Sequence, residues 1–231
     1  MRRRMLGASL ATGALLLAGC APGNTDTNAG TQTAAAAHSP LIQHVQKAWD
    51  ADGKTITPKA IVLHWWGGWG NGKDIQRLID DSDNNKTNYD PAKKSTDKRP
   101  IIGHVTVQIG VTGNGKAYQL TPKLNTFARH AKCANWWAIG IEIEGNGPGS
   151  DHYIGDDKEQ FNTVVKVVKY LMATYHIKAV SAVADDGKSG SGIVSHKMVD
   201  KQCQWADGKP AGEGKDDVDD AYLNRVLAAV K

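Results

Sequence analysis

The 231-residue chain reads as a single α/β domain with one mixed β-sheet flanked by helices. Three observations predict it. Short apolar, β-favouring runs at Lys59–His64, Ile101–Val111 and Trp137–Glu144 have the composition of strands. Stretches of helical period at Asp157–Tyr175 and Val218–Val230 follow them. Thr112-Gly113-Asn114-Gly115 lies between two β-like runs as a hairpin signal, so one strand pair is antiparallel and the sheet is mixed.

Composition sets the outer limits. The chain is 40% hydrophobic and 23% charged, which suits one globular domain with a sizeable core. Its net charge is +4, but Arg2, Arg3 and Arg4 belong to an N-terminal leader. Without them, 25 basic residues stand against 24 acidic ones, and nothing in the balance points to nucleic acid.

The leader has the form of an export signal. MRRRM is a basic start, and LGASLATGALLLAG is apolar, rich in small residues and short for a membrane span. It ends in Leu17-Ala18-Gly19-Cys20, which resembles the lipobox of bacterial lipoproteins. That resemblance implies cleavage before Cys20, lipidation of its sulfur, and anchoring to a membrane of the bacterial cell envelope. Residues 1–20 are then a signal peptide, 21–39 a disordered tether poor in bulky apolar groups, and 40–231 the folded domain.

Within the domain, Leu41, Ile42, Val45 and Trp49 follow helical spacing and predict a short helix or turn. Lys59–His64 reads as a buried strand that ends in a histidine. The loop after it carries Trp65, Trp66 and Trp69 between glycines, as core packing or as a wall on which a saccharide stacks. Asp74–Asp81 has helical spacing, and Ser82–Pro100 is a polar surface loop. Lys116–Leu120 returns from the hairpin, and Ile177–Val183 suits a further short strand. Asp156 or Asp157 caps the helix that runs to Tyr175. The segment Ser195–Cys203, SHKMVDKQC, falls in a loop.

That segment carries candidate chemistry. Imidazole and thiolate are both good zinc ligands, so His64, His196 and Cys203 make three, with a fourth position open for water. An open position marks a catalytic zinc rather than a structural one. In an extended segment Lys201 and Cys203 share a side, which puts a cation where an oxyanion would form. Glu142 and Glu144 lie in IGIEIEG on a predicted strand, between Gly140 and Gly145. Two readings of Cys203 stay open. It binds the metal and leaves Cys133 as a lone thiol, or it pairs with Cys133, which abolishes the catalytic zinc site or forces Asp200 or Asp207 to substitute.

In order along the chain, these motifs resemble the zinc-dependent N-acetylmuramoyl-L-alanine amidases, the superfamily shared by phage-type lytic amidases, cell-wall amidases and peptidoglycan recognition proteins. GHVTVQIGVTGNGKAYQLTP is similar to the family's hairpin, and FARHAKCANWWAIGIEIEG to the segment leading into its acidic strand. The resemblance covers roughly Ala60–Lys231. It implies a zinc cleft at one sheet edge holding one Zn2+, with His64, His196 and Cys203 as ligands. It also implies Glu142 as acidic catalytic residue, Lys201 as catalytic cation, and His104 and His130 lining the substrate cleft beside Trp65 and Trp66. The activity implied is hydrolysis of the amide between N-acetylmuramic acid and L-alanine in peptidoglycan or muropeptides. The alternative is a non-catalytic binding module of the same fold. The chain departs from the family pattern at the bulky HWWGGWG, at Gly103 where some relatives have tyrosine, and at Cys203-Gln204-Trp205 where others have Asp-Pro-Gly.

Overall fold

Strand β2, Ala60–Trp65, is the axis of the domain. In the computed structural model it pairs in parallel with β5, Ala138–Ile143, on one side and with β7, Gly190–Ser195, on the other. All three strands are covered on both faces, which is why β2 and β5 read as near-continuous apolar runs. The residues described are 41–45, 54–67, 75, 107–185, 187–203 and 217–231, all within one unit, Ala36–Lys231.

The sheet has seven strands in the order β1-β4-β3-β5-β2-β7-β6. β3, Ile109–Val111, and β4, Ala117–Gln119, form the antiparallel hairpin expected around Gly113 and Asn114. Thr112 Oγ donates to Asn114 inside the turn, and the Gly113 amide donates to the Glu144 carboxylate at 2.8 Å. Glu144 is thereby a structural residue, fully buried at the end of β5. β6, Ser181–Val183, closes the other edge antiparallel to β7. β7 itself, GSGIVS, has no clear period in the sequence, yet it is the strand that delivers His196 to the centre of the sheet.

Two expectations change. Ile42–His44 is β1, an edge strand parallel to β4, and not a helix. The few apolar positions there were too few to fix a period, and pairing with the sheet edge decides the conformation. SHKMVDKQC is not a loop either: His196–Gln202 is helix α2. Ser195 caps it, accepting from the Met198 amide at 3.4 Å. The Asp74–Asp81 stretch (apart from helical Ile75), the Ser82–Pro100 loop, Trp69 and residues 1–40 with Cys20 lie outside the described residues.

Alternation along the strands separates two faces. Ile61, Leu63, Ile139, Ile141, Ile143 and Ile193 face helices α1, Lys158–Tyr175, and α3, Asp220–Val230. Helix α1 buries Val164, Val167, Val168 and Leu171 there, and Asp157 caps it by accepting from the Gln160 amide at 2.7 Å. Ala60, Val62, Ala138 and Val194 face the other way. They meet a 3-10 helix, Lys132–Trp136, and α2. His64 and Glu142 continue that second face at the carboxyl ends of β2 and β5, one end of the central strands.

Candidate metal centre

His64 is the fifth residue of β2 and His196 opens α2 directly after β7. Because β2 and β7 are parallel neighbours, the two histidines reach the same end of the sheet. Asp217 joins them from the segment that precedes α3. His64 Nδ1 lies 3.2 Å from His196 Nδ1 and 3.3 Å from Asp217 Oδ2. His196 Nδ1 lies 2.8 Å from the same oxygen. All three side chains are buried.

The other atoms of these groups are held as well. Asp217 Oδ1 accepts the Trp65 backbone amide at 2.8 Å. His130 Nε2 lies 3.3 Å from the Ala138 carbonyl, which only accepts, so that nitrogen carries the proton. Burial, then the nearby His64, hold His130 well below the ordinary histidine range, so its ring is neutral and its Nδ1 is an acceptor. His64 Nε2 therefore donates to His130 Nδ1 at 3.0 Å. With its Nε2 engaged by His130, His64 turns Nδ1 toward His196 and Asp217.

His196 stands between two carboxylates. Its Nε2 is 3.2 Å from Asp200 Oδ1, one helical turn on, and Asp200 in turn meets Lys132 Nζ at 3.1 Å. Burial alone would lower the His196 pKa, but Asp200 and Asp217 lift it to about 9. Burial alone would raise both carboxyls, but His196 and Lys132 bring Asp200 to about 2, and His196 and His64 hold Asp217 well below the carboxylate range. The cluster thus calls for positive charge at its centre.

A divalent cation fits that demand. Three ligands on tetrahedral arms of 2.0–2.1 Å lie about 3.3 Å apart, close to the separations found. Two imidazole nitrogens and one carboxylate suit zinc or another first-row dication. His64, His196 and Asp217 also make the one group of convergent metal-ligand atoms among the described residues. The outer nitrogen of His64 is hydrogen-bonded to His130, as in many metal-bound histidines, and that of His196 lies within ion-pair distance of Asp200.

The profile of the family described as "N-acetylmuramoyl-L-alanine amidase" matches residues 53–210. The chain belongs to that family. No curated protein sequence matches the chain. Among solved structures it is similar to an endolysin amidase, LysCS, from Clostridium intestinale URNW. The identity is 19% and the TM-score 0.45, over 70% of this chain and 84% of that one. It is also similar to the Staphylococcus aureus hydrolase AmiA, at 15% identity and a TM-score of 0.49, over 83% of each chain. For a mutant endolysin from Bacillus subtilis the values are 20% and 0.48, over 83% of this chain and 100% of that one.

Against the sequence reading of the amidase site, His64 and His196 come together and Cys203 does not join them. Cys203 is bonded to Cys133, so its sulfur is not available as a ligand. The cause is helix α2, which carries Cys203 roughly 10 Å along its axis from His196 and turns it into the small apolar cluster beneath the sheet. The carboxylate that converges with the two histidines is Asp217; Asp200 meets the outer nitrogen of His196, and Asp207 lies outside the described residues. Asp217 lies beyond the matched residues, but the sequence held one signal for it: Lys215-Asp216-Asp217 repeats the Lys-x-ligand spacing sought at Lys201–Cys203.

The remaining candidates divide by face. Glu142 is directly opposite His64 in the β2–β5 pairing, on the same face and half-buried. Lys201 is exposed near the end of α2, and the premise that it stands beside a metal-bound cysteine is gone. His130 is buried, in contact with His64 and the Ala138 carbonyl. Trp65 points to the helix-covered face and lies against Gly147, so it forms no wall of the histidine cleft. Trp66 is half-buried and packs beside Val107 and Leu120. His104 lies outside the described residues.

Proposed function

We propose that this amidase-family chain hydrolyses the amide between N-acetylmuramic acid and L-alanine in peptidoglycan or its fragments, with one zinc ion per domain. The observation that carries the reading is the convergence of His64 Nδ1, His196 Nδ1 and Asp217 Oδ2 beside Glu142 on one face of the sheet. His64, His196 and Asp217 would hold the ion. When bound, it supplies Lewis acidity, polarising an amide carbonyl and acidifying water.

The chain's own residues supply the rest. Amide hydrolysis adds a water oxygen to the carbonyl carbon and breaks the carbon–nitrogen bond, and the leaving amine needs a proton. The Glu142 carboxylate is the group to take that proton from water and return it to nitrogen. Its place beside His64 supports the role. Half-buried Trp66 is the aromatic side chain on which a sugar ring would stack.

The Cys20 lipobox supports a lipid-anchored location in the bacterial cell envelope. The Cys133–Cys203 disulfide suits an oxidising, exported compartment. No helix among the described residues is long and apolar enough to cross a membrane. Intact mass of the protein purified from membranes tests the anchor, since lipidation adds acyl chains to a chain that begins at Cys20.

Incubation with defined muropeptides, followed by product mass analysis with and without a chelator, tests the activity. The expected products are the free sugar acid and a stem peptide with a new amino terminus, lost on chelation and restored by zinc. Unchanged turnover in excess chelator, or tight muropeptide binding with no products at any divalent metal, overturns the reading.

A further inference from the structure

The segment between Ala128 and Trp137 does more than cover the sheet. His130 supports His64 through the hydrogen bond at 3.0 Å. Two residues on, Lys132 supports Asp200 at 3.1 Å, and Asp200 meets the outer nitrogen of His196 at 3.2 Å. The next residue, Cys133, is bonded to Cys203, which ends the helix that His196 begins. Three of the four consecutive positions 130–133 therefore reach both histidines and both ends of α2.

The segment is itself tightly fixed. Asn135 Oδ1 accepts the amides of His130 and Ala131 at 2.9 and 2.7 Å. Lys132 holds a left-handed backbone at φ 49°, a conformation that costs a lysine free energy unless its surroundings enforce it. Beneath the segment, Gly140 leaves the space that the His130 ring occupies: a Cβ there would come within 2.7 Å of that ring. These features serve a common purpose only if the position of His130 and Lys132 matters.

We propose that residues 130–133 are a positioning brace for the metal centre, setting the tautomer of His64 through His130 and the orientation of His196 through Lys132 and Asp200, with the Cys133–Cys203 bond holding the two arms in register. The inference rests on the reading of His64, His196 and Asp217 as metal ligands. None of the four brace residues contacts substrate in this account. They act through the ligands, by fixing which nitrogen presents its lone pair.

The test is the affinity of the purified folded domain for Zn2+, by competition with a chromophoric chelator, together with the visible absorption of the Co2+-loaded protein. Wild type is compared with His130→Gln, Lys132→Met and the Cys133→Ser/Cys203→Ser double variant. Each variant is expected to weaken Zn2+ binding about tenfold or more, the size of loss typical when the outer partner of a ligand is removed. His130→Gln is also expected to shift the Co2+ bands, because a purely structural defect would leave the ligand field of the folded fraction unchanged. Lys132 is partly exposed, so Lys132→Met keeps the melting temperature of the metal-free protein and decides the matter if His130→Gln does not fold. Affinities within about twofold of wild type for Lys132→Met, and for His130→Gln where it folds, overturn the brace while leaving the metal site intact. Failure of the wild-type chain to bind Zn2+ or Co2+ at all overturns the metal reading itself, and the brace with it.

Discussion

The two faces of the central strands are built from alternate residues of the same segments, and they do different work. On β5, Ile139, Ile141 and Ile143 pack under α1 and α3, fully buried among aliphatic side chains. Between them, Ala138, Gly140 and Glu142 face His130 and His64. On β2, Ile61 and Leu63 belong to the first face, and Ala60, Val62 and His64 to the second. The helix-covered face is uniform and large, as a core that supplies stability needs to be. The opposite face is made of small residues, so that imidazoles and carboxylates find room close to the backbone. A strand that alternates in this way keeps the chemistry rigid without placing polar atoms in the main core.

Substitutions on the two faces should separate cleanly. The largest effect is expected for Glu142→Gln, which keeps size and removes the proton acceptor. Its kcat should fall by about 10²–10⁴-fold, with Zn2+ affinity and melting temperature near wild type. A fall in stability with little loss of kcat in the folded fraction would break the assignment. Ile141→Ala, one residue away on the other face, should do the reverse. It should cost about 2–5 kcal/mol in denaturant unfolding, while the folded fraction keeps its metal affinity and turnover. The smallest effect is expected for exposed Lys201→Ala, within about 0.5 kcal/mol of wild type and with turnover unchanged. Lys215→Ala sharpens this last case, since Lys215 stands two residues before Asp217. A larger loss of turnover at Lys215 than at Lys201 follows if the Lys-x-ligand spacing belongs to the aspartate.

The helix-covered face was largely legible in the sequence because it is periodic. The stripe of α1, the register of α3, the apolar runs of β2 and β5, and the Gly113-Asn114 turn each state their structure locally. β7 was not legible, since Gly190, Ser191 and Gly192 carry no pattern and only pairing with β2 makes them a strand. The proximity of His64, His196 and Glu142 followed from strand ends and ordered motifs that mark them. Asp217 was missed, because its one signal, the Lys-x-ligand spacing from Lys215, is weak within an Asp-rich run, and Cys203 drew attention as the more conspicuous ligand type. What separates the two is three-dimensional: α2 carries Cys203 away from His196 toward Cys133, and the chain returns later with Asp217. His130 was placed in the cleft by resemblance, and only the fold shows its contacts with His64 and Ala138.

The central claim is that the third ligand is Asp217 and that Cys203 is a structural cysteine. Zinc content at saturating metal tests it directly, measured on wild type, on Asp217→Asn and on the Cys133→Ser/Cys203→Ser double variant. Asparagine keeps an acceptor for the Trp65 amide, so the fold is preserved while the anionic ligand is lost. The account predicts one zinc per chain in wild type and in the double serine variant, and loss of tightly held zinc in Asp217→Asn. Full zinc in Asp217→Asn together with none in the double serine variant would contradict it.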